Sequence, residues 1–338
     1  MKKVMSHFFN NKKKIFIIAE IGINHRGSFN ECVKLIKASA KAGADAAKLQ
    51  LINPFESYEK GSKSYKEFSN KLFNYTQLKK LKKIAKKNKI EFFVTPGDFH
   101  SINIAKKLKM NMYKISSGLL TNIPLINEIA KLKKPMIIST GMGYIEEIKQ
   151  ALSIVKKYLN NRQIAVLKCT SIYPAPYESI NLNAMKTLKN VFKVAVGYSD
   201  HTLGTETVLA AVSLGAVVIE KHITLNKNFK GADHKISLEP IQFKAMVKKV
   251  RNIEKTFGQN NIKPSIEEIK LRKKNHRYII SKTSLKKGEY ITLNKIFFKR
   301  MKKIKKGTLK PKDYFKIIKK KITRNVDKNT QISFDFFK

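Results

Sequence analysis

The stretch IFIIAEIGINHRGSFNECVKLIKASAKAGADAAKLQL, residues 15–51, reads as one strand, helix, strand unit. Ile15 to Glu20 is a short run, apolar up to its last residue. A helical pattern follows over Asn30 to Ala42, with Cys32, Leu35, Ile36 and Ala40 on one face. Gly43 ends that helix, and a second apolar run, Ala46 to Leu51, begins just after it. Neither run alternates cleanly, as expected of parallel strands covered by helices. No dinucleotide fingerprint follows the first strand, because Gly22 and Gly27 stand too far apart, with Asn24 and His25 between them.

Further strand candidates follow at Ile90 to Thr95, Met112 to Ser116, Pro135 to Thr140, Ile164 to Cys169, Val194 to Gly197 and Ala216 to Lys221. Helical patterns separate them, as in Tyr75 to Lys87, where Leu78, Leu81, Ile84 and Ala85 share a face. Eight such units in about 240 residues predict an α/β fold of the (β/α)8 TIM-barrel class rather than an open doubly wound sheet. Pro240 opens a final barrel helix whose stripe runs through Phe243, Met246, Val247, Val250 and Phe257. The barrel domain is expected over residues 1–257, a polar linker over 258–275, and a small, mostly β domain over 276–338. That last module has 20 basic and 4 acidic side chains in 63 residues, too small a core to stand comfortably alone.

The 338-residue chain, 42% hydrophobic and 28% charged, excludes collagen-like and disordered classes. Its formal charge of +46 raises nucleic acid or an anionic surface as a partner. Only seven of the 70 basic residues are arginine, however, and base-edge readout leans on the guanidinium fork. The lysine excess therefore reads as a solvated face, with no specific nucleic-acid partner. Two cysteines, Cys32 and Cys169, form neither a disulfide framework nor a zinc spacing, which points to a reducing compartment. The start resembles a signal peptide's basic region, but the apolar run from Ile15 to Ala19 is cut short by Glu20. No stretch approaches a bilayer span, so no membrane insertion and a cytoplasmic location are expected.

In a barrel of this class the site lies at the carboxyl ends of the strands, and every predicted strand end here is polar. Lys48 and Lys114 interrupt apolar runs, where an ammonium is costly unless paired or functional. With neighbouring hydroxyls they describe a phosphate or carboxylate pocket. His201 and His222 end neighbouring strands beside Asp200, Glu220 and Asp233, so two imidazoles can converge on one ion. Two such ligands suit a labile catalytic Mn²⁺, Mg²⁺ or Zn²⁺ better than a structural zinc; the alternative is a pair of structural histidines. Cys169 reads as a small buried hydrophobe rather than a nucleophile.

The stretches AEIGINHRGS (19–28), GADAAKLQ (43–50), YKISSG (113–118), STGM (139–142), CTSIYPAPY (169–177), GYSDHTLG (197–204), EKHITL (220–225) and GADHKISLEP (231–240) closely resemble the N-acetylneuraminate (sialic acid) synthase family. That family includes legionaminic and pseudaminic acid synthases, and its C-terminal module is an antifreeze-like SAF domain. The resemblance implies an enzyme that condenses phosphoenolpyruvate with N-acetylmannosamine or a related N-acyl amino sugar and water, giving a nonulosonic acid and phosphate. It implies a homodimer with exchanged C-terminal domains and a divalent metal, manganese first, with magnesium or cobalt as alternatives. By resemblance His201 and His222 are the metal ligands. Lys48, Thr95, Lys114, Ser117, Ser139 and Ser199 hold phosphoenolpyruvate, with Ser171 where some members have Asn. Glu20, Asp233 and Tyr173 lie near the sugar and the reacting carbons, and Arg300 reaches the partner's site. The implied catalytic set is Glu20, Lys48, Lys114, His201, His222 and Asp233. Two positions depart from the family: Leu119, where many members carry Glu, and the sequence after Arg300, where a Pro-Gly pair commonly follows but here Met301 and KKIKKG intervene before Thr308. The alternatives are a synthase using a diacetamido-trideoxy hexose and, more remotely, a noncatalytic polyanion-binding protein on the same scaffold.

Overall fold

A computed structural model describes residues 14–337. In it the eight strand candidates close into one parallel barrel in chain order. They are β1 (Phe16–Gly22), β2 (Ala46–Leu51), β3 (Glu91–Pro96), β4 (Tyr113–Ile115), β5 (Met136–Ser139), β6 (Ile164–Cys169), β7 (Ala195–Asp200) and β8 (Val218–His222). Closure comes from β8 pairing with β1, from Phe16 opposite Val218 to Glu20 opposite His222. The TIM-barrel expectation is met.

A helix follows each strand: α1 (Phe29–Lys41), α2 (Tyr75–Lys87), α3 (Phe99–Lys107), α4 (Ile123–Ala130), α5 (Ile145–Val155), α6 (Ala184–Phe192), α7 (Glu206–Ser213) and α8 (Pro240–Thr256). Their starts are written locally. Ser28 accepts the Glu31 N–H ahead of α1, Asn74 and Gln77 form a reciprocal box at α2, and Asp98 accepts the Ser101 N–H at α3.

Side chains alternate across each strand, so the barrel has two cores. Outward residues such as Ile17, Ala47, Val94, Ile138, Val166 and Ile219 pack under the helices. Inward ones, among them Phe16, Ile18, Ala46, Phe93, Met112, Ile137, Leu167 and Val218, fill the barrel's lower half. Strands β7 and β8 run further than apolar content predicts, through Ser199 and Asp200 and through His222. Ladder hydrogen bonds are made by the backbone, so an inward polar side chain need not end a strand.

A second unit begins at Gln259. The stretch 258–275, expected to be a linker, contains a helix, α9 (Ile266–Asn275), started by a reciprocal Ser265 and Glu268 box. Beyond it β9 (Tyr278–Ser281) and β10 (Ile296–Lys299) pair antiparallel around a small core that includes Ile279, Ile291, Leu309, Ile322 and Ile332. The apolar runs at 290–292 and 331–334 contribute isolated bridges rather than strands. No helix among the described residues is long and apolar enough to cross a membrane. Residues 1–13, which carry the signal-like basic start, lie outside the described residues.

Candidate active site

One step of the two-residue period carries each strand from the apolar interior to its polar mouth. Glu20 follows Ile18, Lys48 follows Ala46, Thr95 follows Phe93 and Lys114 follows Met112; Ser139 follows Ile137, Cys169 follows Leu167 and Glu220 follows Val218. The result is a cavity of about 340 Å³ at the carboxyl end of the barrel. Of the residues expected at the site, Glu20, Lys48, Lys114, Ser117, Ser139, Ser171, Tyr173, Ser199, His201, His222 and Asp233 all line it. Thr95 stands behind it, accepting a 3.1 Å hydrogen bond from Lys48 Nζ. Arg300 belongs to the second unit, where it is exposed and forms no hydrogen bond or ion pair among the described residues.

Four buried charges form a chain across this cavity. Lys48 Nζ lies 2.9 Å from Glu20 Oε2 and 3.5 Å from Glu220 Oε2. Lys114 Nζ donates to Glu220 Oε1 at 2.8 Å, and Ser199 Oγ donates to the same oxygen at 2.9 Å. Burial would push the Glu220 carboxyl up, but Lys114 and Lys48 outweigh it and hold the group well below the usual carboxylate range. Glu20 goes the other way: burial lifts it to about 7, with Lys48 only partly opposing. One carboxylate is thus a permanent counterion and the other can exchange a proton near neutrality. Glu20 Oε1 has no hydrogen-bond partner, and neither has Ser139 Oγ.

Glu220 was not among the expected site residues, although its position carried the signal. In Val218-Ile219-Glu220-Lys221-His222 only alternate residues face inward, so Glu220 and His222 share the cavity while Lys221 points out to Asp200 at 2.6 Å. Gln50, Tyr58, Glu67 and Phe68 also line the cavity. The last three come from the long excursion between β2 and α2, where no periodic pattern marks an inward direction. Two polar residues after β1 are structural instead. Asn24 Nδ2 donates to Ile223 O and Ser237 Oγ, both at 2.9 Å, and His25 packs against Phe73.

The loop after β5 brings hydroxyls together around Gly141. A Cβ there would come within 2.3 Å of Ser171 Oγ and 2.7 Å of Ser117 Oγ, so only glycine lets both close in. Ser117 Oγ already accepts the Gly141 N–H at 3.0 Å. With Ser139, these groups make a polar wall near Lys114 suited to an oxyanion.

The two histidines meet on the opposite wall, ring centroids 5.5 Å apart. His201 Nδ1 lies 2.7 Å from the Thr170 carbonyl, which assigns its proton there and leaves Nε2 a lone pair, 3.0 Å from Tyr173 Oη. His222 Nδ1 has no hydrogen-bond partner and lies 3.8 Å from Asp233 Oδ2. Burial and the neighbouring His201 hold His222 well below its ordinary value, so it is neutral and able to ligate. Among the described residues no three metal-ligating side chains form a finished cage. Two imidazoles, with oxygen from water or substrate completing the set, fit a labile divalent ion rather than a structural one. Cys169, buried as expected, also reaches the cavity wall, its sulfur 3.8 Å from His201 Nδ1.

Comparison with known proteins agrees with this architecture. The NeuB family model matches residues 35–262. An N,N'-diacetyllegionaminic acid synthase from Campylobacter jejuni is 41% identical, over 85% of this chain and 91% of the relative. A human N-acetylneuraminate-9-phosphate synthase is 32% identical, over 94% and 91%. A solved N-acetylneuraminic acid synthetase from Leptospira borgpetersenii superimposes with a TM-score of 0.72 at 34% identity, covering 77% of this chain and 92% of that one.

Proposed function

The chain belongs to the NeuB family, and from that premise we propose that it condenses phosphoenolpyruvate with an open-chain N-acyl amino sugar and water, releasing phosphate and a nonulosonic acid. N-acetylmannosamine or a relative of it is the acceptor. The observation that carries the reading is the pair of buried ammonium groups, Lys48 and Lys114, facing a cavity with unpartnered polar atoms. Glu20 and Glu220 counter the two charges, yet a buried network of four charges contributes no more stability than a well-packed apolar set of the same volume, so its place in the barrel mouth supports a role in binding an anionic substrate.

The residues take their roles from position. Lys48 and Lys114 hold the phosphate and carboxylate of phosphoenolpyruvate, with Thr95, Ser117, Ser139, Ser171 and Ser199 supplying hydroxyls around them. C3 of the enol attacks the sugar aldehyde; a carbon–carbon bond forms as the C=O π bond breaks, the former aldehyde oxygen takes up a proton from solvent to become a hydroxyl, and positive character grows at C2. Glu20 sits beside Lys48, and its free Oε1 takes the proton of the water that adds at C2. The resulting hemiketal expels phosphate as its C–O bond breaks. Asp233 and Tyr173, on the histidine side of the cavity, orient the acceptor. His201 and His222 hold the divalent ion, manganese in the first instance, which when bound supplies Lewis-acid polarisation of the aldehyde oxygen. Closing both substrates into one dry pocket contributes much of the rate.

The second unit is an SAF-like module in this reading, and the active form is a homodimer in which it covers the partner's barrel, Arg300 meeting the sugar's acyl group. Both cysteines are free and buried, which suits the reducing cytoplasm. Incubating the chain with phosphoenolpyruvate, a manganese salt and a panel of amino sugars should release phosphate only when both organic substrates are present. Phosphate release that ignored the sugar, or none with any sugar, would reject the condensation.

A further inference from the structure

The two strand ends that present the histidines to the cavity carry a second charged pair on their other face. Asp200 and Lys221 are fully buried, and they are the last registered partners between β7 and β8. Lys221 Nζ donates to Asp200 Oδ2 at 2.6 Å and to the Thr202 carbonyl at 2.5 Å. The other carboxylate oxygen accepts from Tyr198 Oη and the Thr202 N–H, both at 2.9 Å, and from Thr207 Oγ1, in the first turn of α7, at 3.1 Å. Neither charge lacks a partner, whereas Glu20, Glu220 and His222 on the cavity face keep atoms with no hydrogen bond.

Sequence adjacency gives this outer pair its leverage. His201 lies between Asp200 and Thr202, and His222 directly follows Lys221. Thr202 is gripped twice, by its N–H to Asp200 and by its carbonyl to Lys221, so the backbone on both sides of His201 is tied to the residue before His222. The bridge crosses from β8 to β7 where their registered pairing stops. A buried ion pair is weak evidence for stability, and what this one adds is a fixed distance between two strand ends.

We infer that Lys221 and Asp200 are positioning residues, setting the separation of the His201 and His222 backbones and through it the affinity of the two imidazoles for a divalent ion. The inference rests on the reading of those histidines as ligands and deepens it. Asp200 and Lys221 do not line the cavity, so they act through the histidines rather than on the ion. With the clamp in place the rings stand ready, centroids 5.5 Å apart. Without it, ion binding has to draw the strand ends together, and that cost falls on affinity rather than on the chemistry that follows.

The test is manganese binding to the full-length protein, read from the electron paramagnetic resonance signal of the free ion, beside Tm and initial rates at varied manganese. The double variant Asp200→Asn, Lys221→Met deletes the bridge without stranding a charge, and the asparagine oxygen keeps the three donors on its side. Its Kd for manganese should rise about 10-fold, the low end of what supporting residues around a metal site contribute. The manganese concentration at half-maximal rate should rise equally, with kcat at saturating ion within about 3-fold of wild type. Tyr198→Phe keeps the pair and deletes one donor, so it should raise the Kd about 3-fold, and it decides the matter if the double variant does not fold. Arg251→Met is the control: it breaks the 2.6 Å pair with Asp45 ahead of β2, at the opposite end of the barrel, and should lower the Tm while leaving manganese affinity within about 2-fold. Unchanged manganese affinity in the clamp variants, or a loss equalled by Arg251→Met, would overturn the positioning role while leaving the ligands assigned. Wild-type binding that His201→Ala does not weaken would remove the ligand reading and this inference with it.

Discussion

Replacing Lys114 by Met keeps bulk and deletes one charge from the buried chain Glu20, Lys48, Glu220, Lys114, and two separate losses should follow. The first is stability. Lys114 Nζ is the nearest cation to Glu220, at 2.8 Å, and breaking a buried pair from one side costs about 3–5 kcal/mol. Lys48 at 3.5 Å and Ser199 at 2.9 Å still serve that carboxylate, which puts the expected cost near the lower end, about 3 kcal/mol. For a barrel of this size that is a fall in Tm of about 6–12 °C. The second loss is catalytic: one charge-assisted contact to phosphoenolpyruvate, about 2–4 kcal/mol, lowers kcat/KM for that substrate by about 30- to 900-fold. The double variant Lys114→Met, Glu220→Gln separates the two, because removing both charges restores most of the Tm while the contact to substrate stays lost. Calorimetry and initial rates at varied phosphoenolpyruvate read the outcomes independently. A Lys114→Met chain with kcat/KM within about 3-fold of wild type would refute the assignment of this ammonium to the substrate.

His201→Ala or His222→Ala should abolish turnover with the Tm little changed, and dialysis against EDTA should do the same reversibly; full turnover with no metal detected by elemental analysis would reject the ion. Glu20 carries a signed pH dependence. Its folded value of about 7 lies above the ordinary 4.5, so the stability it brings is complete below pH 4.5 and is lost as pH rises through 7. Glu20→Gln stays neutral throughout, so its Tm should gain on the wild type between pH 4.5 and 7 and hold level above, and a pH-independent difference would contradict the shift. Mixing Arg300→Ala chains with His222→Ala chains should restore wild-type sites in up to about half of the mixed dimers' sites if the second unit serves the partner; no recovery, with mixed dimers proven by mass spectrometry, would exclude the exchange.

The barrel was legible in the sequence because its determinants are local. Eight short apolar runs separated by amphipathic stretches, with Gly43 after α1 and Pro240 opening α8, specify element type and order through hydrogen-bond geometry and side-chain periodicity. Lys48 and Lys114 were legible too, because an ammonium inside an apolar run has to be explained wherever the run ends up. What only the tertiary structure decided is which polar groups meet. Lys221 and Glu220 are neighbours in sequence and both charged, yet barrel closure sends one to Asp200 on the outside and the other to Lys114, 106 positions away, on the inside. The same holds for Asn24 and His25, polar at a strand mouth but used to tie a loop, and for Ser171 and Ser117, brought together only because Gly141 has no side chain. Periodicity is a one-dimensional property of the chain and survives in the sequence. Which two side chains share one buried volume depends on register and closure around the whole barrel, and their protonation depends in turn on that shared burial. The opposite fates of Glu20 and Glu220, two glutamates on adjacent strands, follow from distances to two ammonium groups that no stretch of sequence contains.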